Sequence, residues 1–302
     1  MNNAISRLIL IVFITLYPFS GGIAQIGERS PQKLPNPEAL RFQQIYFKQP
    51  MAERVRLDNG IVLYIFEDHE LPLVNVSVVI RTGSSYDPLG KEGLAELAGT
   101  ATRTGGTKAQ TGDAVDKSLD FLAATIHVSI NRDSSSLNLS VLKKDFDKGF
   151  RILSQMITEP VFEEKKLALA KDLMIEDIKR IADDPQRLAF REFKRVLFGS
   201  NPAGRFPSAK SVADVTRTDI VEFHRRFFYP ENIMISITGD VSKEEAIAKV
   251  RQYLGSWHIS GKRPEIIPLP VRPKGKIYFF LKGTPQTIII CASIGPGKKE
   301  KA

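Results

Sequence analysis

Few side chains in this chain could carry chemistry. Four histidines are present, His69, His127, His224 and His258, and no two stand at a spacing that would bring a pair of imidazoles onto one metal ion. His69 lies in a polar turn between Asp68 and Glu70, His127 alternates with apolar neighbours, His224 precedes Arg225 and Arg226, and His258 follows Trp257. Each is read as a surface or capping residue. The single cysteine, Cys291, falls in the apolar run Thr287 to Ile294, which predicts a small buried hydrophobe rather than a reactive thiol. The acids Asp183 and Asp184 stand before Pro185, where proline ends one helix and starts the next, so they punctuate the fold and do not form an acid–base pair.

The most informative stretch is a short helix rich in small residues, Gly93 to about Arg103, inside Gly90–Thr107. It resembles the active-site helix of the pitrilysin/insulinase family of inverted-motif zinc peptidases. There, Gly-x-x-His-x-x-Glu-His places two histidines on one helix face and a glutamate that activates the metal-bound water. Aligned on Gly93, the three positions here hold Glu96, Gly99 and Thr100. The resemblance implies that both imidazoles and the general base are gone. The family's third ligand, a glutamate on a later helix, maps onto Glu176. Glu96 and Glu176 together would make at best a weak carboxylate site for a hard cation such as Mg²⁺, and a solvated or salt-bridged pair is the plainer expectation.

Other fragments follow in the family's order: Arg56–Gly60, Arg81–Pro88, Asp183–Pro185, Phe198 and Gly199 before Asn201 and Pro202, Phe223–Pro230, and Thr238–Val241. The resemblance is closest to the non-catalytic partners, such as the alpha subunit of mitochondrial processing peptidase and the metal-free members of bacterial paired peptidases. It implies a zinc-free subunit of an exported two-subunit peptidase that forms part of a peptide-binding chamber. The zinc would sit in an active partner carrying the intact motif, and peptides or unfolded polypeptide would be the other ligands. An exported metallopeptidase with unconventional ligands, and a stand-alone peptide-binding or scaffold protein, are the alternatives. In active relatives an edge strand beside the cleft pairs with extended peptides, and the resemblance implies that role for Ser134–Ser136 and the strand after them; their alternating pattern fits an ordinary core strand equally well.

Local patterns supply the frame that would position these groups. Period-two alternation predicts strands around Val62–Phe66, at Leu73–Ile80, Ala124–Asn131, Ser135–Leu142 and Ile233–Thr238. Helical periodicity marks Thr111–Leu122, with Thr111 as N-cap, then Phe146–Ile157, Glu163–Ile181, Pro185–Leu197, Val215–Phe228 and Ser242–Leu254. The expected architecture is α+β: a five-strand antiparallel sheet covered by helices, a half-barrel peptidase-like domain over residues 51–260. A proline-rich linker, 261–274, would lead to the first strands of a truncated second domain at 275–302, namely Lys276–Leu281 and Gln286–Ala292.

At 302 residues, with 42% hydrophobic and 25% charged side chains, the composition is that of a globular protein. Arg7, the apolar run Leu8–Phe19 and the small residues Gly21 to Ala24 read as a secretory signal peptide. The run is too short to span a bilayer, and residues 25–50, rich in Pro and Gln, read as an extended arm. The net charge of +9 is spread in short pairs such as Lys143–Lys144 and Arg225–Arg226, which excludes a nucleic-acid-binding stripe.

Overall fold

Alternating burial along the strands builds one sheet. The computed structural model describes residues 51–262, 265, 277–281, 283 and 287–292; the signal peptide, the arm at 25–50 and most of the linker lie outside the described residues. Strands β1 (Glu53–Arg56), β2 (Val62–Glu67), β3 (Leu73–Ile80), β4 (Thr125–Ile130), β5 (Ser135–Leu142) and β6 (Ile233–Gly239) form a six-stranded sheet in the order β1-β2-β6-β3-β5-β4. Leu63, Ile65, Val74, Val76, Val78, Leu137, Leu139, Ile235 and Ile237 point to the helical side and are essentially inaccessible. The opposite face carries Asn75, Ser77, Asn138, Ser140, Ser236 and Thr238, with Ser77 Oγ donating to Asn138 Oδ1 at 2.7 Å.

The α+β class is as the sequence implies, but the sheet differs in two respects. It has six strands rather than five, because Glu53–Arg56 pairs with β2 across the Asp58–Gly60 turn. Nor is it wholly antiparallel, since β6 inserts between β2 and β3 and runs parallel to β2. A parallel neighbour needs a long crossover, and the helical excursion between β5 and β6 supplies it. Local periodicity shows that Ile233–Gly239 is a strand, not where it inserts.

Eight helices are described: α1 (Leu94–Thr104), α2 (Gly112–Phe121), α3 (Phe146–Thr158), α4 (Glu164–Arg180), α5 (Pro185–Phe198), α6 (Ala209–Ala213), α7 (Arg217–Phe227) and α8 (Lys243–Leu254). Thr111 caps α2 by accepting from Ala114 N, as its position predicts, and Asp184 caps α5 ahead of Pro185. The five-residue α6, held by a Ser208–Ser211 capping box, is too short to leave a readable period. The expected second-domain strands lie partly outside the described residues; residues 277–281 and 287–292, which are described, have no strand assigned, and Cys291 is exposed rather than buried. An apolar run becomes a strand only where a partner accepts its backbone groups.

His224 also departs from its expected surface role. Its ring stacks on Phe228 at 4.1 Å and meets the edge of Phe162, and Nε2 lies 2.9 Å from the Ile157 carbonyl. Nε2 therefore carries a proton and donates it to the carbonyl. Burial holds the imidazole down to about 4, below its unfolded value of 6.5, so the folded state binds fewer protons between these limits. Stability from this group is present above pH 6.5 and is lost as pH falls through about 4. The loss should total roughly 3 kcal/mol. Chemical denaturation at stepped pH should show this contribution as the difference in slope between the parent and His224→Gln, whose amide can still donate to Ile157.

Candidate functional site

The site is built on α1, whose N-terminus is fixed by a buried carboxylate. Asp87, 4% exposed, accepts from Gly93 N through Oδ2 and from Ala95 N through Oδ1, both at 2.8 Å. These are donors that a helix start leaves unpaired. Gly93 has φ 104°, a left-handed conformation, and a Cβ there would lie 2.9 Å from Met174 Cε of α4. Burial pushes Asp87 up to about 6 against the opposing pull of the two amides and Arg205.

From this anchor α1 buries Leu94, Ala95, Leu97, Ala98 and Ala101. Glu96, Thr100, Arg103 and Thr104 line a cleft of about 530 Å³ against α2 and β4. The spacing i, i+4, i+7, i+8 makes them a single stripe. Asp116 of α2 and Ile126, His127, Val128 and Ile130 of β4 complete the lining.

The positions that resemble the zinc motif are thereby located. Glu96 and Thr100 open on the cleft, whereas Gly99 is buried and turned to the sheet. A Cβ on Gly99 would lie 2.6 Å from Ile130 Cδ1 and 3.1 Å from Val128 Cγ1. The space that a longer side chain would use is filled by β4. Glu96 is held above the usual carboxylate range, first by desolvation and then by the charge of Asp177.

Glu176 is turned away. It is exposed, bonds Lys179 at 2.6 Å, and is held low by that ammonium. Asp177, one residue on, is the α4 carboxylate whose charge reaches Glu96; its oxygens are gripped by Arg187 at 2.7 and 3.1 Å. Helical geometry explains the difference. Ala170 and Met174 face α1, and Asp177 follows them at i+7 and i+3, whereas Glu176 lies on the far side. Among the described residues no three His, Cys, Asp or Glu side chains gather as a group that could hold a metal ion. Glu96 with Thr100, and no imidazole, is not a donor set suited to zinc.

Sequence reading missed Arg103 and Asp116. Arg103 Nη1 donates to Asp116 Oδ1 at 2.7 Å, and its Nε donates to the Ile126 carbonyl at 2.8 Å. Of the edge and core readings open for the strand after Ser134, the structure has the second: β5 is internal, bonded to β3 on one side and β4 on the other, and among the described residues β4 is an edge strand, as β1 is at the far side. His127 sits on that edge with its side chain exposed, as its alternation predicts. His69 bonds Asp240 at 2.6 Å at the surface, and His258 is exposed.

An open sheet under a helical layer, with a small-residue helix lying along an edge strand, defines an α+β domain. Comparison with known proteins places it more closely. Residues 63–206 match the family model described as insulinase (peptidase family M16), and residues 214–302 match that of the peptidase M16 inactive domain. The chain belongs to this insulinase/pitrilysin family. It is 30% identical over 221 residues to an uncharacterized zinc protease of Mycobacterium leprae, covering 70% of this chain and 47% of that protein. It is 26% identical over 211 residues to mitochondrial-processing peptidase subunit alpha-1 of Dictyostelium discoideum, covering 69% and 32%. Among solved structures, the peptidase M16 inactive domain from Pseudomonas fluorescens superposes with a TM-score of 0.68 at 22% identity over 74% of this chain and 54% of that one. The periplasmic protease PqqL of Escherichia coli superposes with 0.66 at 19% identity, covering 74% and 26%. The chain spans about half the length of the first of these relatives. The two family models meet near residue 210, yet β6 lies between β2 and β3, so that junction does not divide the sheet.

Proposed function

We propose that this chain is a non-catalytic, zinc-free subunit of an exported two-subunit peptidase, and that it binds peptide in extended form along β4 while a partner with the intact His-x-x-Glu-His motif performs hydrolysis. The observation that carries this is Gly99: the position of the general base has no side chain, and Ile130 and Val128 fill the space beside it. A carboxylate there would have to displace the side chains of Ile130 and Val128. Among the described residues β4 has no strand beyond it, and such an edge recognises extended peptide through main-chain groups with little regard to sequence. The cleft beside it adds apolar walls at Ile126, Val128 and Ile130 and polar groups at Glu96, Thr100 and Arg103.

Two relatives support the paired and exported parts of this reading, one named as a subunit of a processing peptidase and one as a periplasmic protease. Among the described residues no helix is long and apolar enough to cross a membrane. The purified chain is expected to contain no stoichiometric zinc and to bind unfolded peptides without cleaving them. It should also raise peptide hydrolysis when mixed with an intact-motif peptidase from the same cell. Elemental analysis, peptide turnover and co-purification test this. One tightly held zinc per chain with turnover by the chain alone would overturn it.

A further inference from the structure

The free edge of β4 is not open along its whole length. Asn131 N donates to Ser134 O at 2.8 Å, so residues 131 and 134 form a hydrogen-bonded pair. Alternation along an antiparallel ladder then makes Ile130↔Ser135, Val128↔Leu137 and Ile126↔Leu139 the non-bonded pairs. The amides and carbonyls of Ile126, Val128 and Ile130 therefore point away from β5, toward the edge where a further strand could add. One end of this row is already engaged: the Arg103 guanidinium holds the Ile126 carbonyl, and Asp116 of α2 holds the guanidinium. Beyond Ile130 the strand gives way to a turn, where the carbonyls of Asn131 and Arg132 accept from Ser84 N and Ser85 N at 3.1 and 2.8 Å.

We infer that Arg103 is a specificity-determining residue that limits the length and register of an added peptide strand, by occupying the Ile126 carbonyl and confining main-chain pairing to Val128 and Ile130. This rests on the peptide-binding reading above. Arg103 has the geometry for the task. Its Nε and Nη1 bridge two elements, so withdrawing it from the carbonyl also strains its bond to Asp116. A peptide running past Val128 meets a carbonyl that already has a charged donor, and must leave the edge there. The limit acts on backbone, so it selects by length and extension rather than by side-chain identity.

The test uses the full chain and a nested series of blocked, β-branched peptides of increasing length, with a proline-interrupted control, followed by fluorescence anisotropy. In the parent, affinity should stop rising once the peptide covers Val128 and Ile130. In Arg103→Ala, longer peptides should gain a further three- to tenfold, about the value of one added hydrogen bond. Arg103→Lys, whose ammonium can still donate to Ile126, should restore the early plateau. Asp116→Asn leaves the guanidinium in place but loosens it, and should move the plateau part of the way even if Arg103→Ala folds poorly. Binding with the same length dependence in the parent, Arg103→Ala and Asp116→Asn overturns the role of Arg103 and leaves the peptide reading intact. Absence of binding to every peptide overturns both.

Discussion

Replacing Glu96→His, Gly99→Glu and Thr100→His together is expected to leave the protein without tightly bound zinc, and adding Ile130→Ala is expected to bring in one zinc per chain. The triple variant supplies the ligand types of the family motif, but its new side chain at 99 starts 2.6 Å from Ile130 Cδ1. Overpacking of this kind typically costs about 1–3 kcal/mol and shifts the local backbone, enough to misplace ligands that need tetrahedral geometry. Trimming Ile130 removes the obstruction at its source. The third ligand should then be Asp177 once it is drawn from Arg187, because it, not Glu176, carries charge to Glu96. Asp177→Asn in the four-fold variant should lower zinc affinity by at least about 100-fold, beyond the usual effect of disturbing a ligand's supporting contacts, and Glu176→Gln should leave it unchanged. Zinc stoichiometry by elemental analysis and a chelator competition would decide. Dependence on Glu176 instead of Asp177 would show that the facing of α4 is wrong.

Asp87→Ala is expected to be the most destabilising single change near the cleft, at roughly 2–5 kcal/mol, because it strands two buried amides at the start of α1. Its acidity has a signature opposite to that of His224. The folded value of about 6 lies above the reference 3.8, so the native state binds the extra proton between them. Stability from Asp87 is full below pH 4 and is lost as pH rises through about 6, whereas that from His224 is lost as pH falls from 6.5 toward 4. The two slopes offset one another in the parent. Asp87→Asn should therefore expose the His224 slope, and His224→Gln the Asp87 slope. Denaturant midpoints measured from pH 3.5 to 7.5 as a rough window check this; parallel pH profiles in the two variants would contradict both assignments. Weakening of the α1 anchor should also disturb peptide binding, since Glu96 and Thr100 line the cleft from that helix.

Much of the fold was legible from local rules. Leu73–Ile80 alternates with period two and is β3 over those same residues, and Thr111 sits where a cap must be and accepts the expected amide. The absence of histidine at 96 and 100, and of any side chain at 99, is a fact of residue type. Family membership followed from the order of short fragments, each of them weak alone. The departures involve distant parts of the chain. Ser135–Leu142 reads as a half-buried strand whether it is internal or an edge, because alternation reports two faces and says nothing about how many neighbours bond the backbone.

What the sequence by itself determined is therefore the chemistry that is missing and the periodic elements, because both depend on residue types and spacings within one stretch of chain. Only the tertiary structure decided that β6 separates β2 from β3, that β4 is the edge, that Asp177 rather than Glu176 acts on Glu96, and that Arg103 closes the Ile126 carbonyl. Each of these depends on which elements pack against one another, and that order is set by burying a common apolar face among segments far apart in sequence, a constraint that no single window of residues contains.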